Sequence, residues 1–341
     1  MLNKRDIAEG LSKDRKIRRA VTQESFRWFL EIFFSHYLEY QLAPFHEEMI
    51  HLAESDELET VVVMAFRGSG KSTILNAGYA LWSILGRQRK KCVLIISHTQ
   101  AQAKNHFANI KQELETNKLL ANDLGPFRPD EDGWGTHSLE LPDLGAKIIS
   151  ISRGQNIRGI RYNQYRPDLV ILDDVEDTAA QTDAERLEHF RWYMDEVVPT
   201  GTKGTKFIVL GNLIHRKSLL MQLRKRIADG GLPRGIFRAY PLVDHEERRL
   251  WPQKFPTRSS IQELQDKLPM QTWDREYMLS IIPRPVIDIG LIDFSDLCHN
   301  DDPFDEIPAE QAPVIKKMKR YCIRSPVITD HGIKAQRIKY G

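Results

Sequence analysis

The sequence predicts an α/β fold: a mostly parallel sheet flanked by helices on both faces. Three observations lead there. Apolar runs such as TVVVMAF (60–66), KKCVLIIS (90–97), DLVILDD (168–174) and KFIVLGN (206–212) are continuous rather than alternating, as strands buried on both faces require. Stretches of helical spacing stand between them, the rhythm of strand–helix–strand units. Of 341 residues, 41% are hydrophobic and 28% charged, with 17 prolines dispersed, which excludes a disordered or low-complexity chain and allows one large or two moderate cores.

In chain order, residues 1–20 carry a basic stretch, KDRKIRRA, without the apolar segment of a signal peptide. From Thr22 to Leu52 the residues Phe26, Phe29, Leu30, Phe33, Phe34 and Tyr37 recur at spacings of three and four, so this is a helical lead-in with a break near Pro44. The strand at 60–66 is followed by a glycine-rich loop and a helix, the strand at 90–97 by a helix from Thr99 to Glu115. Asn122 to Asp143, rich in glycine and proline, reads as a loop before a short strand at 146–152. Helices follow the last two strands at about Asp183–Glu196 and Lys217–Asp229. After Pro241 the rhythm fades into short helices, Ser259–Lys267 and Trp273–Ser280, and from Pro283 an acidic, proline-containing tail follows. The chain thus divides into a lead-in (1–55), an α/β core (56–240), a small linker subdomain (241–285) and a tail (286–341).

A net charge of +2 gives no global pull towards nucleic acid, so any such contact must come from a local patch. The three cysteines, Cys92, Cys298 and Cys322, are too scattered for a disulfide framework or zinc site, and a reducing, cytosolic compartment is expected. The apolar runs are strand-sized, so no membrane span is expected.

The chemistry is concentrated in AFRGSGKST (65–73). A phosphate chain needs converging backbone N–H groups, a helix N-terminus, a lysine for the β/γ oxygens and a hydroxyl for magnesium. Gly68, Ser69 and Gly70 supply the tight loop, Lys71 the charge and Ser72 the magnesium hydroxyl, with Thr73 beside it. This is a P-loop (Walker A) whose usual first glycine is Ala65. The partner feature, a Walker B acid, is DLVILDDVED: the strand delivers Asp173 and Asp174 to the carboxyl edge of the sheet, where α/β ligands bind. Asp173 is placed to hold magnesium, and Asp174 or Glu176 to activate the attacking water. ATP and Mg2+ are the expected cofactors. The strand order fits the additional-strand class of P-loop NTPases, which couple hydrolysis to movement.

From about Gln41 to Tyr277 the chain resembles the ATPase domain of the large terminase subunit of tailed bacteriophages, the DNA-packaging motor. The residues that carry this are LAPFHEEMI before the loop, Arg67 four residues before Lys71, ISHTQAQAKNHFANIKQELETN, NIRGIRYNQYRPDLVILDDVED, VLGNLIH and WDREYMLSIIP. The resemblance implies that Arg67 reaches the γ-phosphate, that Gln41, Pro44 and Phe45 lie on the adenine side, and that Gly211 and Asn212 form part of a coupling motif, Asn212 sensing the γ-phosphate. It implies an arginine inserted into a neighbouring subunit's site: Arg158, with Arg153, Arg161 and Arg166 as rivals. Implied partners are double-stranded DNA, the portal protein, the small terminase subunit and further copies in a ring, in the host cytoplasm and transiently on the procapsid. DNA contacts are expected from Arg216, Lys217, Arg224, Lys225 and Arg226.

The chain departs from the family in ending its acid strand Asp-Asp rather than Asp-Glu, and in Leu210 where the coupling motif starts with a small hydroxyl residue. Family members continue into a nuclease domain, for which VIDIGLIDFSD (286–296), with Asp288 or Asp293, followed by a proline-rich tail, is insufficient. Nuclease activity is therefore not expected from this chain alone. Two other readings stay open: a helicase-like remodelling ATPase, and an assembly protein that binds nucleotide without turnover.

Overall fold

A computed structural model describes residues 14–128, 134–176 and 182–281, together with the strand residues 327–329 and 332–334. The sheet contains β1 (Thr60–Ala65), β2 (Cys92–Ser97), β3 (Ser138–Leu141), β4 (Ala146–Ser152), β5 (Leu169–Asp173), β6 (Lys206–Gly211) and β7 (Gly235–Tyr240). Its spatial order is β3-β4-β2-β5-β6-β1-β7, and every neighbouring pair is parallel except β3–β4. β1, β2, β5 and β6 are buried along their whole length, which explains their unbroken apolar runs. One strand, β6, stands between the P-loop strand and the acid strand, as the additional-strand class requires.

The register levels the carboxyl ends of these strands: Met64 of β1 faces Gly211 of β6, and Asp173 of β5 faces Leu210. Chemistry carried on the loops after β1, β5 and β6 therefore meets at one edge. Lys206, which opens β6, is buried and donates to the carbonyls of Leu52, Ala53 and Ser55, satisfying the carboxyl end of a lead-in helix. Burial lowers its pKa to about 8.

The lead-in is split more finely than its periodicity suggests, into α1 (Arg15–Glu24), α2 (Phe26–Phe33) and α3 (Pro44–Glu54). Ser25 ends α1 and caps α2, its hydroxyl accepting from the Trp28 N–H. Phe26, Phe29, Leu30 and Phe33 are buried, Phe26 against Tyr79 and Trp82. In the basic stretch, Arg18 is committed to structure: its guanidinium grips the buried Asp123 carboxylate at 2.7 and 2.9 Å.

Behind the P-loop, a π-helical segment (Thr73–Gly78) runs into α4 (Tyr79–Leu85). Then come α5 (Gln100–Thr116), capped by Thr99, α6 (Lys118–Leu124), α7 (Asp183–Trp192), α8 (Leu219–Ala228), α9 (Arg258–Asp266) and α10 (Met270–Glu276).

Two elements correct the sequence reading. The stretch 122–143 was expected as a loop, yet it contains β3, a four-residue strand in which Leu139 and Leu141 are the buried side chains. Two inward residues are too few to generate a period. GIFRAY forms β7 at the sheet edge beside β1; it is half-buried, so it lacks the apolar run of a central strand.

The segment after Pro241, expected as a smaller appended region, places Leu242, Trp251, Ile261 and Trp273 in the same hydrophobic cluster as Phe45 and Phe66. Asp288, Asp293 and most of the tail lie outside the described residues; β8 (Val327–Thr329) and β9 (Gly332–Lys334) pair antiparallel. Among the described residues no helix is long and apolar enough to cross a membrane.

Candidate active site

β1 ends at Ala65, so the position where the motif usually has its first glycine is here the last residue of a buried strand. The chain then turns through Gly68 and Gly70, whose φ values of +76° and +83° fall in the left-handed region that disfavours side chains. This turn delivers Lys71 into the site, 7% exposed, where its Nζ donates to Asn212 Oδ1 at 2.7 Å and lies 3.6 Å from Asp174 Oδ2. A buried ammonium without such partners would be strongly disfavoured. Lys71, Asn212 and Asp174 thus come together from three loops.

Ser72 Oγ donates to Asp173 Oδ1 at 3.1 Å, linking the loop to the end of β5. Asp173 is 1% exposed, and its other oxygen accepts from Asn76 Nδ2 at 2.9 Å with His106 Nε2 3.7 Å away. A hydroxyl and a carboxylate side by side are hard oxygen donors, the set that binds magnesium together with substrate phosphates. Ser69 Oγ and Asn76 Oδ1 are buried without a hydrogen-bond partner among the described residues. The residues present therefore fit a polar ligand carrying a divalent cation.

Asp174 has φ +47°, a conformation uncommon for residues other than glycine, asparagine and aspartate. It is held there by its N–H donating to the Leu210 carbonyl at 3.0 Å. Loss of surrounding water raises its pKa, and Asp173 adds to this while Lys71 opposes it. A carboxylate with a raised pKa beside a lysine is suited to taking a proton.

Of the two carboxylates left open by the sequence, Glu176 is placed elsewhere. It is buried, with Oε1 3.2 Å from His189 Nδ1 and Oε2 accepting from the Leu219 N–H at 2.7 Å, where it holds the first turn of α8. Two residues beyond Asp174, its carboxylate is thus held by α7 and α8.

Arg67 points outward: Nη1 donates to Glu276 Oε2 at 2.6 Å, and its backbone N–H donates to the Glu276 carbonyl at 2.8 Å. The hydrogen bond to Glu276 raises the arginine's pKa; burial alone would raise that of Glu276, but Arg67 and Arg275 hold it below the usual carboxylate range. Thr73 opens the π-helical segment. Gln41 is exposed, with its carbonyl accepting from Trp251 Nε1 at 3.0 Å, while Phe45 is a core residue against Phe66 and Tyr240. Arg158, Arg161 and Arg166 line a separate cleft of about 670 Å³ opposite Asp195 and Glu196. Several basic residues near α8 have partners: Arg216 with the Ile281 carbonyl, Lys217 with Asp183, and Arg224 over the Phe237 ring, while Lys225 and Arg226 are exposed.

Four residues around this loop received no role from the sequence: His46, His106, Lys254 and Glu276. His46 and Glu276 lie within the stretches LAPFHEEMI and WDREYMLSIIP, but nothing in their spacing reveals that both reach the P-loop. Lys254 Nζ donates to the Gly68 carbonyl at 2.8 Å while lying 4.8 Å from the centre of the Trp251 ring.

No family model matches the sequence, and no curated protein matches it. Solved structures do. The ATPase domain of the Thermus phage P74-26 large terminase superposes with a TM-score of 0.50 at 16% identity, covering 73% of this chain and 97% of that one. The HK97 bacteriophage large terminase gives 0.48 at 16% identity over 70% of this chain and 50% of its own, so this chain spans half of that protein's length. The large terminase of thermophilic bacteriophage D6E, in complex with ADP, gives 0.47 at 9% identity over 70% and 53% of the two chains. Solved neighbours of this chain thus include phage large terminases, and its fold is that of the Thermus phage P74-26 large terminase ATPase domain.

Proposed function

We propose that the protein is a magnesium-dependent ATPase acting as the motor of a phage large terminase, using hydrolysis to move double-stranded DNA into a procapsid. The observation that supports this most is the meeting of Lys71, Ser72, Asp173, Asp174 and Asn212 at the carboxyl edge of one mostly parallel sheet. These are the parts that phosphoryl transfer to water needs.

In this reading Lys71 exchanges Asn212 for the β/γ-phosphate oxygens. Ser72 and Asp173 would hold magnesium, which when bound offsets phosphate charge. Asp174 orients a water and accepts its proton as the water oxygen bonds to the γ-phosphorus and the bond to the β,γ-bridging oxygen breaks, releasing ADP and phosphate. Arg67 can contribute only after leaving Glu276. Arg158, in its own cleft, is proposed to act on the site of a neighbouring copy, which makes a ring on the portal the active form. The small terminase subunit would be a further partner, in the host cytoplasm and transiently on the procapsid. Contacts to DNA would be to phosphates and weaken steeply with salt.

The test is steady-state ATP hydrolysis against protein concentration, with and without double-stranded DNA. Turnover rising faster than linearly with protein, stimulated by DNA and abolished in Lys71→Ala, is expected. DNA-independent binding of nucleotide without turnover, even with portal present, would sink the motor reading, and strand separation would favour a helicase instead.

A further inference from the structure

Three consecutive residues of the loop are each held from outside: Arg67 N–H by the Glu276 carbonyl, the Gly68 carbonyl by Lys254, and the Ser69 carbonyl by His46. Glu276 and Lys254 are charged and partly exposed, whereas His46 is fully buried. It sits in the first turn of α3, its ring 3.8 Å from that of Phe45 and 4.5 Å from that of Trp251, centre to centre. Its Nδ1 accepts from the Ala43 N–H at 2.9 Å. That fixes the tautomer: Nε2 carries the proton and donates to the Ser69 carbonyl at 2.7 Å.

In a planar trans peptide the C=O and the following N–H point in opposite directions. Pinning the Ser69 carbonyl towards α3 therefore aims the Gly70 N–H to the other side of the loop, where converging N–H groups cradle a phosphate. This plane turns about Ser69 ψ and Gly70 φ, and glycine at position 70 restricts that rotation least. We infer that His46 is a positioning residue for nucleotide, setting the Ser69–Gly70 peptide plane so that the loop presents its N–H before the ligand arrives. This inference rests on the ATPase reading and adds to it a residue that touches neither phosphate nor metal.

Two near-isosteric replacements separate hydrogen bonding from packing: glutamine has an acceptor and a donor, and methionine fills similar space with neither. Binding of ADP with magnesium is measured by calorimetry on the full chain, well below the unfolding temperature of each variant. His46→Gln is expected to stay within about threefold of wild type and His46→Met to lose about tenfold in affinity, the size of one hydrogen bond in a buried setting. A histidine that merely supports the core would lower the unfolding temperature and leave the Kd of the folded protein unchanged. Equal Kd values for wild type and His46→Met overturn the inference, as does a His46→Gln variant as weak as His46→Met. If wild type itself fails to bind ADP, the nucleotide reading falls and the inference with it, whereas tight binding by wild type and both variants removes the inference alone.

Discussion

Lys71 Nζ rests on Asn212 Oδ1, 2.7 Å away, so the loop lysine is held by the residue that follows β6. In the proposed reading, phosphate oxygens replace that amide and release Asn212 next to the reacting end of the nucleotide. Lys71→Ala should reduce turnover by about a hundredfold or more, as loss of a transition-state charge contact does. Asn212→Ala should act mainly on kcat while nucleotide affinity stays within a few-fold. Equal losses in affinity and kcat for Asn212→Ala would show that the amide only shapes the binding site.

Asp174 and Glu176 should separate cleanly. Asp174→Asn is expected to keep the fold and nucleotide binding while turnover drops by about two to three orders of magnitude, the range for a general base. Glu176→Ala is expected to cost about 3 kcal/mol of stability, since it removes the acceptor of the Leu219 N–H and strips His189 of its buried partner. Urea unfolding and ATPase measurements on both variants decide the assignment; a stable but inactive Glu176→Gln would reverse it.

The Arg67–Glu276 contact is exposed on the arginine side, and exposed ion pairs contribute roughly 0–1 kcal/mol. Glu276→Gln should therefore leave the unfolding free energy within about 1 kcal/mol of wild type. By weakening the hold on Arg67 it should also tighten ATP binding, a change absent when Arg67→Ala is already in place. A double-mutant cycle on ATP affinity measures this.

His46 adds a pH signature. Burial drives its pKa down to about 4, with Lys254 adding to the effect and the bond to Ser69 opposing it, against an ordinary value of 6.5. Between those values the unfolded chain binds the proton and the folded chain does not, so stability falls as pH drops from 6.5 towards 4. The whole window is worth about 3 kcal/mol. Denaturation curves at pH 7, 5.5 and 4.5 should show this slope in wild type and lose it in His46→Gln.

The central strands, the glycine turn after β1 and the Asp-Asp end of β5 were all legible because each depends on a local rule: an unbroken apolar run, a glycine at positive φ, an acid at a strand's end. β3 and β7 were not, because an edge strand with one or two inward residues carries no period. The lead-in phenylalanines could be read as a core face, but the Ser25 cap that divides their helix from α1 could not. In the site, the separate positions of Asp174, beside Lys71, and Glu176, against His189 and Leu219, follow from backbone direction after β5, which two acids in a charged turn do not encode. His46, Lys254 and Glu276 were hidden for a further reason: they lie 23, 186 and 209 positions from the loop residues they bind. Only the packing of α3 and of the segment after Pro241 on one core brings them there.

β6 also sets a width. With neighbouring strands about 4.8 Å apart, the P-loop and the acid strand are separated by roughly 10 Å. β6 ends between them at Gly211, where an added Cβ would sit 3.2 Å from Leu220 and 3.5 Å from Asp174. Seven residues after Asn212 the chain enters α8, whose outer surface displays Lys225 and Arg226. The end of β6, which in the proposed reading borders the reacting phosphate, and the root of the basic helix are thus one short piece of chain, so a rotation of that piece by a few degrees would swing the helix's far end through a larger arc, as a lever does about its pivot.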